Sequence, residues 1–152
     1  MLKTATAEDL TALTRLALLL WPDHDSGELR QEIGSILADQ NAVFFLALIG
    51  GEPVGFAQCQ LRFDYVEGTQ SSPVGYLEGI FVREEHRGRG LAKALLARCE
   101  QWSGERGCSE FASDCELSNT ASLQFHLKAG FEEANRIICF KKRIGSLSSL
   151  CS

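Results

Sequence analysis

The chain has 152 residues, 45% of them hydrophobic and 23% charged, with a net charge of −5. This length suits one domain with a single core, and the balance of residues excludes a disordered or collagen-like chain. The acidic surplus argues against nucleic acid as the partner, and no apolar run is long enough for a membrane helix.

The N-terminus, MLKTATAEDL, lacks the basic-then-apolar layout of a secretory signal, so a cytoplasmic protein is expected. A short strand is expected over Leu2 to Ala5. Thr6 opens the word TAED, in which its hydroxyl and the Asp9 carboxylate can satisfy the free N–H groups of a helix start. Leu10, Leu13, Leu16, Ala17 and Leu20 follow at helical spacing, and Trp21-Pro22 ends the helix. A second helix is expected from about Gly27 to Ala38, with Leu29, Ile33, Ile36 and Leu37 on one side.

Two apolar runs around Gly50-Gly51 then predict a hairpin. The alternation of Phe56, Gln58, Gln60 and Arg62 predicts a strand with one wet face. EGTQSSP reads as a loop and VGYLEGIFV as a further strand. A helix from about Gly88 to Arg106 turns Leu91, Leu95, Leu96, Cys99 and Trp102 inward. CSEFASD reads as a buried strand, SNTASLQFHLKAG as a helix capped by Gly130, and FEEANRIICFKKRI as a last strand. The order β-α-α-β-β-β-α-β-α-β makes a mixed α/β (α+β) domain over residues 1–144, and the small polar tail, 145–152, is assigned no structure.

The six cysteines show no CxxC and no His/Cys pairing at zinc spacing, so they read as small core residues and no metal site is expected. The chemistry concentrates in REEHRGRGLAKALL. A helix N-terminus exposes unpaired N–H groups, Gly88 and Gly90 let the backbone close on an oxyanion, and Arg87, Arg89 and Lys93 add charge. A pyrophosphate fits such a turn; so does a solvated loop that merely starts a helix. The Walker A and dinucleotide fingerprints are not matched.

RGRGLA resembles the R/Q-x-x-G-x-G/A motif of the GCN5-related N-acetyltransferases (GNAT). The strand end GIFV before it, and Asn119 with FHLKAGF after it, stand in that superfamily's order. The resemblance implies a splayed mixed sheet flanked by helices and acetyl-coenzyme A as co-substrate. WPDH, DYVEGTQSSPVGYLEGIFV, ASDCELSNT and GFEEANRIICFKKR look like the aminoglycoside 6'-N-acetyltransferases, a family that confers antibiotic resistance and is usually dimeric, its C-terminal strands helping to join subunits.

Carried over residue by residue, the resemblance implies an aminoglycoside site at Trp21, Tyr65, Glu78 and Asp114, with Asn135 where close relatives have an acid. It implies backbone groups of Ile80, Phe81 and Val82 for the pantetheine arm and acetyl carbonyl. Gly88, Arg89, Gly90, Leu91, Ala92 and Lys93 would surround the pyrophosphate, and Asn119 would reach the pantetheine. His126 stands where many acetyltransferases have a tyrosine acid; a packed helix residue is its other reading.

From the residues themselves, Trp21 and Tyr65 read as ordinary packing aromatics, Asp114 as a strand-end ligand group or a cap, and Asn119 as a helix cap. Glu78, inside the apolar run GYLEGIFV, must face a cleft or have a partner. It is the candidate to bind or deprotonate the acceptor amine, with Asp114 as the competing base. Direct transfer in a ternary complex is expected, because no cysteine has a nucleophile's setting. The rival readings are a GNAT enzyme acting on a polyamine, protein amine or other metabolite, and a non-catalytic acetyl-coenzyme A-binding protein.

Overall fold

The computed structural model describes residues 1–145. Strand β1 (Leu2–Thr4) leads through a short 3-10 turn (Ala7–Asp9) into helices α1 (Leu10–Leu20) and α2 (Ser26–Leu37). At the turn, the Thr6 N–H donates to the Asp9 carboxylate at 2.8 Å, the side-chain half of the expected cap. Helix α1 ends before Trp21, as the following proline requires, and Asp25 caps α2 by accepting from the Glu28 N–H at 2.9 Å.

Strands β2 (Ala42–Ile49) and β3 (Glu52–Arg62) form the expected hairpin. Gly50 and Gly51, with φ of 58° and 81°, supply the two positive angles that a tight two-residue turn needs. Strand β4 (Val74–Val82), helix α3 (Leu91–Glu105), strand β5 (Phe111–Ser113) and helix α4 (Thr120–Lys128) follow. The sheet runs β1-β2-β3-β4-β5, antiparallel except for the parallel β4–β5 pair, which needs α3 as its crossover.

Helices cover both faces, so β2 is apolar almost without a break. Phe44 and Leu46 pack with Leu13, Leu16, Leu29 and Ile33 of α1 and α2. Val43, Phe45 and Ala47 pack on the other side with Leu95, Leu96, Cys99 and Trp102 of α3. The same cover corrects the reading of β3: Phe56 and Gln58 are buried, and its wet face opens towards Gln60 and Arg62.

Three further expectations are corrected. CSEFASD yields three half-buried strand residues rather than a buried strand, because β5 pairs with β4 over Gly75 to Leu77 and no farther. Residues 131–144 form no strand: their backbone has no neighbouring strand to pair with, and Ile137, Ile138, Phe140 and Ile144 are exposed. Of the cysteines, Cys59 and Cys99 are core residues and Cys108 is half-buried, but Cys115 and Cys139 are exposed; Cys151 lies outside the described residues, as does most of the tail. Gly130 does end α4. Its φ is 97°, and the N–H groups of Gly130 and Phe131 return to the carbonyls of Leu127 and His126.

Candidate active site

The site begins with an irregularity in β4. Gln58 faces Gly79 and Cys59 faces Leu77, so Glu78 is an extra residue with no partner on β3. Such a bulge bends the strand and re-aims the side chain it carries. Beyond it β4 has also left β5, so residues 78–82 have a backbone edge without a strand neighbour on the β5 side.

Glu78 both faces a cleft and has a partner. The cleft, of about 150 Å³, is lined by Trp21, His24, Glu32, Gln58 and Glu78 with apolar residues of α2. Trp21 sits in it because Gly79 leaves room: a Cβ there would lie 2.8 Å from the indole. Its ring also meets Phe56 at 6.1 Å and His24 at 6.0 Å. The partner is Arg62, whose Nε and Nη2 donate to Glu78 Oε1 at 3.0 and 2.7 Å, while Nη2 also reaches Oε2 at 3.1 Å.

The Arg62 guanidinium lies over the Tyr76 ring, 3.4 Å from its centroid. The Tyr76 hydroxyl in turn donates to Asp114, just past β5. Burial, and next the hydrogen bond to Asp114, push the Tyr76 phenol well above its ordinary range, so it stays a donor. Glu78 and Asp114 are thus the two ends of one chain, Glu78–Arg62–Tyr76–Asp114. Arg62 and Tyr76 are absent from the residues expected from sequence. Their signal was the alternation that ends at Arg62, together with the partner that a carboxylate in an apolar strand demands.

Tyr65 lies in the β3–β4 loop, 75% exposed, its hydroxyl accepting from the Gly68 N–H at 3.4 Å. Asn135 donates to Glu67 at 3.0 Å, so a carboxylate stands beside the neutral amide. Neither residue lines the Glu78 cleft.

On the other side of β4 lies the glycine turn. Gly88 and Gly90 have φ of 79° and 78°, and a Cβ on either would meet nothing within 4 Å. Gly90 caps α3 without a side chain, so the first N–H groups of the helix, Leu91, Ala92 and Lys93, lack a side-chain acceptor. Arg89 and Lys93 flank them. Arg87 is engaged elsewhere, its Nε donating to the Val82 carbonyl at 2.8 Å, which fastens the turn to the end of β4. An open strand edge beside an uncapped helix start with basic neighbours suits a ligand that is part amide chain and part pyrophosphate.

Asn119 caps α4, its Oδ1 accepting from the Ser122 N–H at 3.1 Å. His126 Nδ1 lies 2.7 Å from the Ser122 carbonyl and Nε2 lies 2.8 Å from Ser113 Oγ. A carbonyl only accepts, which assigns the proton of a neutral ring to Nδ1 and leaves Nε2 as the acceptor of the Ser113 hydroxyl. The ring is packed 5.0 Å from Phe131, and it ties α4 to β5. Among the described residues no three His, Cys, Asp or Glu side chains gather as a metal site, and no helix is long and apolar enough to cross a membrane.

Residues 8–131 match the acetyltransferase (GNAT) family. The chain is 43% identical over 141 residues to an aminoglycoside N(6')-acetyltransferase type 1 of Stenotrophomonas maltophilia, covering 92% of this chain and 91% of the relative. Its backbone is similar to AAC(6')-Iy in complex with the bisubstrate analogue CoA-S-monomethyl-acetylneamine, with a TM-score of 0.91 and 38% identity over 95% of this chain and 98% of that one. The aminoglycoside 6'-N-acetyltransferase AAC(6')-IG of Acinetobacter haemolyticus, crystallised without ligand, matches with a TM-score of 0.91 at 35% identity, over 95% and 99% of the two chains.

Proposed function

The chain belongs to the GNAT acetyltransferase family and, within it, to the aminoglycoside N(6')-acetyltransferases, and from that premise we propose that it moves the acetyl group of acetyl-coenzyme A onto the 6'-amine of aminoglycoside antibiotics and so confers resistance. The observation that carries this reading is the bulge. It turns Glu78 into the cleft beside Trp21, in the same strand whose Ile80, Phe81 and Val82 have no β5 neighbour, which supports an acceptor site next to a cofactor edge.

When bound, acetyl-coenzyme A supplies an activated acetyl thioester. Ile80, Phe81 and Val82 would hold its amide arm by backbone hydrogen bonds. Gly88, Arg89, Gly90, Leu91, Ala92 and Lys93 would hold its pyrophosphate, and Asn119 would reach the pantetheine while capping α4. Trp21 and Tyr65 would offer aromatic faces to sugar C–H groups. Glu78 would accept an N–H of the 6'-amine and take its proton, directly or through water, with Asp114 as the competing base. Asn135 would contact the drug with a neutral amide. His126 would hold β5 against α4 and could deliver a proton from Nε2 only as an imidazolium. Direct transfer in a ternary complex is favoured because Cys59 and Cys99 are sealed in the core and none of Cys108, Cys115 and Cys139 lines the Glu78 cleft.

We further propose that two copies associate through residues 131–144, whose exposed apolar side chains have no partner strand in the single chain. The free thiols suit a reducing compartment, which supports work in the cytoplasm.

Two measurements test the function. Expressed in susceptible bacteria, the enzyme raises resistance to drugs bearing a 6'-amine and not to those with a 6'-hydroxyl; equal resistance to both overturns the regiochemistry. Glu78→Gln and Asp114→Asn are then compared by thiol release. The Glu78 variant is expected to lose roughly 100-fold in kcat/KM and the Asp114 variant less; wild-type rates from both would remove them from the mechanism.

A further inference from the structure

An acceptor site for a polycation faces a chemical conflict. Carboxylates attract the ammonium form, yet only the uncharged amine can attack a carbonyl carbon. An ammonium held against an uncompensated carboxylate keeps its proton more firmly, since opposite charges favour the charged form.

Glu78 is not uncompensated. Arg62 makes three contacts to it, two on Oε1 and one on Oε2, so Oε2 keeps the larger unused capacity to accept a further N–H. The guanidinium brings a positive charge and is braced by the Tyr76 ring, whose hydroxyl is tied to Asp114. The pair Arg62–Glu78 is therefore neutral overall while still presenting an acceptor oxygen. The other ionisable groups around it are Tyr76 under the guanidinium, Cys59 in the core on β3, His24 and Glu32 across the cleft, and Asp114 beyond Tyr76.

We propose that Arg62 is a positioning residue for acetyl transfer: by pairing with Glu78 it makes the acceptor subsite neutral, so the reacting amine is held as the free base rather than as an ammonium. This rests on the reading that the acceptor amine binds at Glu78. Arg62 touches neither reacting atom; it acts through the carboxylate it holds and through its own positive charge. Glu32 and Asp114 remain to bind the other ammonium groups of the drug.

The test is the pH dependence of kcat, which reports ionisations in the bound complex, with kanamycin as acceptor. Arg62→Met keeps a long unbranched side chain and removes the charge together with the guanidinium that lies over Tyr76. Its kcat near neutral pH is expected to fall about tenfold with acceptor KM unchanged or lower. The rise of kcat with pH should move up by about one unit, so that activity recovers in alkali. A uniform loss at every pH, or a raised KM with kcat intact, overturns the inference in favour of a structural or simple binding role. Coenzyme A affinity and Tm report whether the variant is folded. Should Arg62→Met fail to fold, Arg62→Lys, which keeps the charge, is expected to retain the wild-type profile; an alkaline shift there overturns the inference equally. A wild-type enzyme inactive on every 6'-amine drug would sink the functional reading itself, whereas an active one with an unshifted Arg62→Met profile sinks this inference alone.

Discussion

Tyr76 joins the two candidate carboxylates with one side chain, its ring under Arg62 and its hydroxyl on Asp114. Replacing it by phenylalanine separates those roles, keeping the ring and removing the donor. A hydrogen bond to a charged acceptor contributes about 1.5–3 kcal/mol, less where the acceptor is exposed as Asp114 is. Tyr76→Phe is accordingly expected to lower acceptor kcat/KM about fivefold to tenfold, while coenzyme A affinity, measured by calorimetry, stays unchanged. Full activity in this variant would mean that Asp114 needs no orienting partner. At this scale the sequence was informative about Glu78 and left the identity of its cation open. A carboxylate in GYLEGIFV announces that it needs a cleft or a cation, but which cation depends on the β3–β4 register, and a bulge alters that register.

Among the elements, β4 and the start of α3 do most to build the site. The strand's length and place were legible from VGYLEGIFV, and so was the turn that follows. The bulge was not, because a run of apolar residues reads the same with or without one extra residue. The turn also has its own cost in strain. Gly90 holds φ at 78°, a left-handed angle that other L residues adopt at about 1–2 kcal/mol. Gly90→Ala meets no clash, so its effects are strain and altered N–H direction. It should lower stability by about 1 kcal/mol and raise the Kd for coenzyme A several-fold, with acceptor KM little changed. An unaltered Kd in calorimetry would remove this turn from cofactor binding.

For the whole molecule, the unresolved balance lies at the sheet's last edge. Strand β5 is three residues long, and the chain after α4 carries Ile137, Ile138, Phe140 and Ile144 outward, with Phe140 89% exposed. Apolar side chains in such a row mark an association surface. In sizing chromatography the wild-type chain should therefore elute as a dimer and Phe140→Asp as a monomer at micromolar concentration. A monomeric wild type would overturn the association. The apolar run IICF, bounded by charged residues, explains why this segment reads as a strand: it has the composition of one, and it lacks the neighbour.

By itself, then, the sequence determined the order of elements through β4, the hairpin at Gly50-Gly51, the helix caps, the glycine turn and the resemblance that names the chemistry. These are local properties, set by spacing, by dihedral preference and by short motifs within one stretch of chain. Tertiary structure alone decided that Arg62 would neutralise Glu78, that Tyr76 would link it to Asp114, and that Gly79 would admit the Trp21 ring. It also decided that residues 131–144 would have no strand to pair with in a single copy. Each of these depends on what another part of the chain brings alongside, and spacing within one segment carries no record of that.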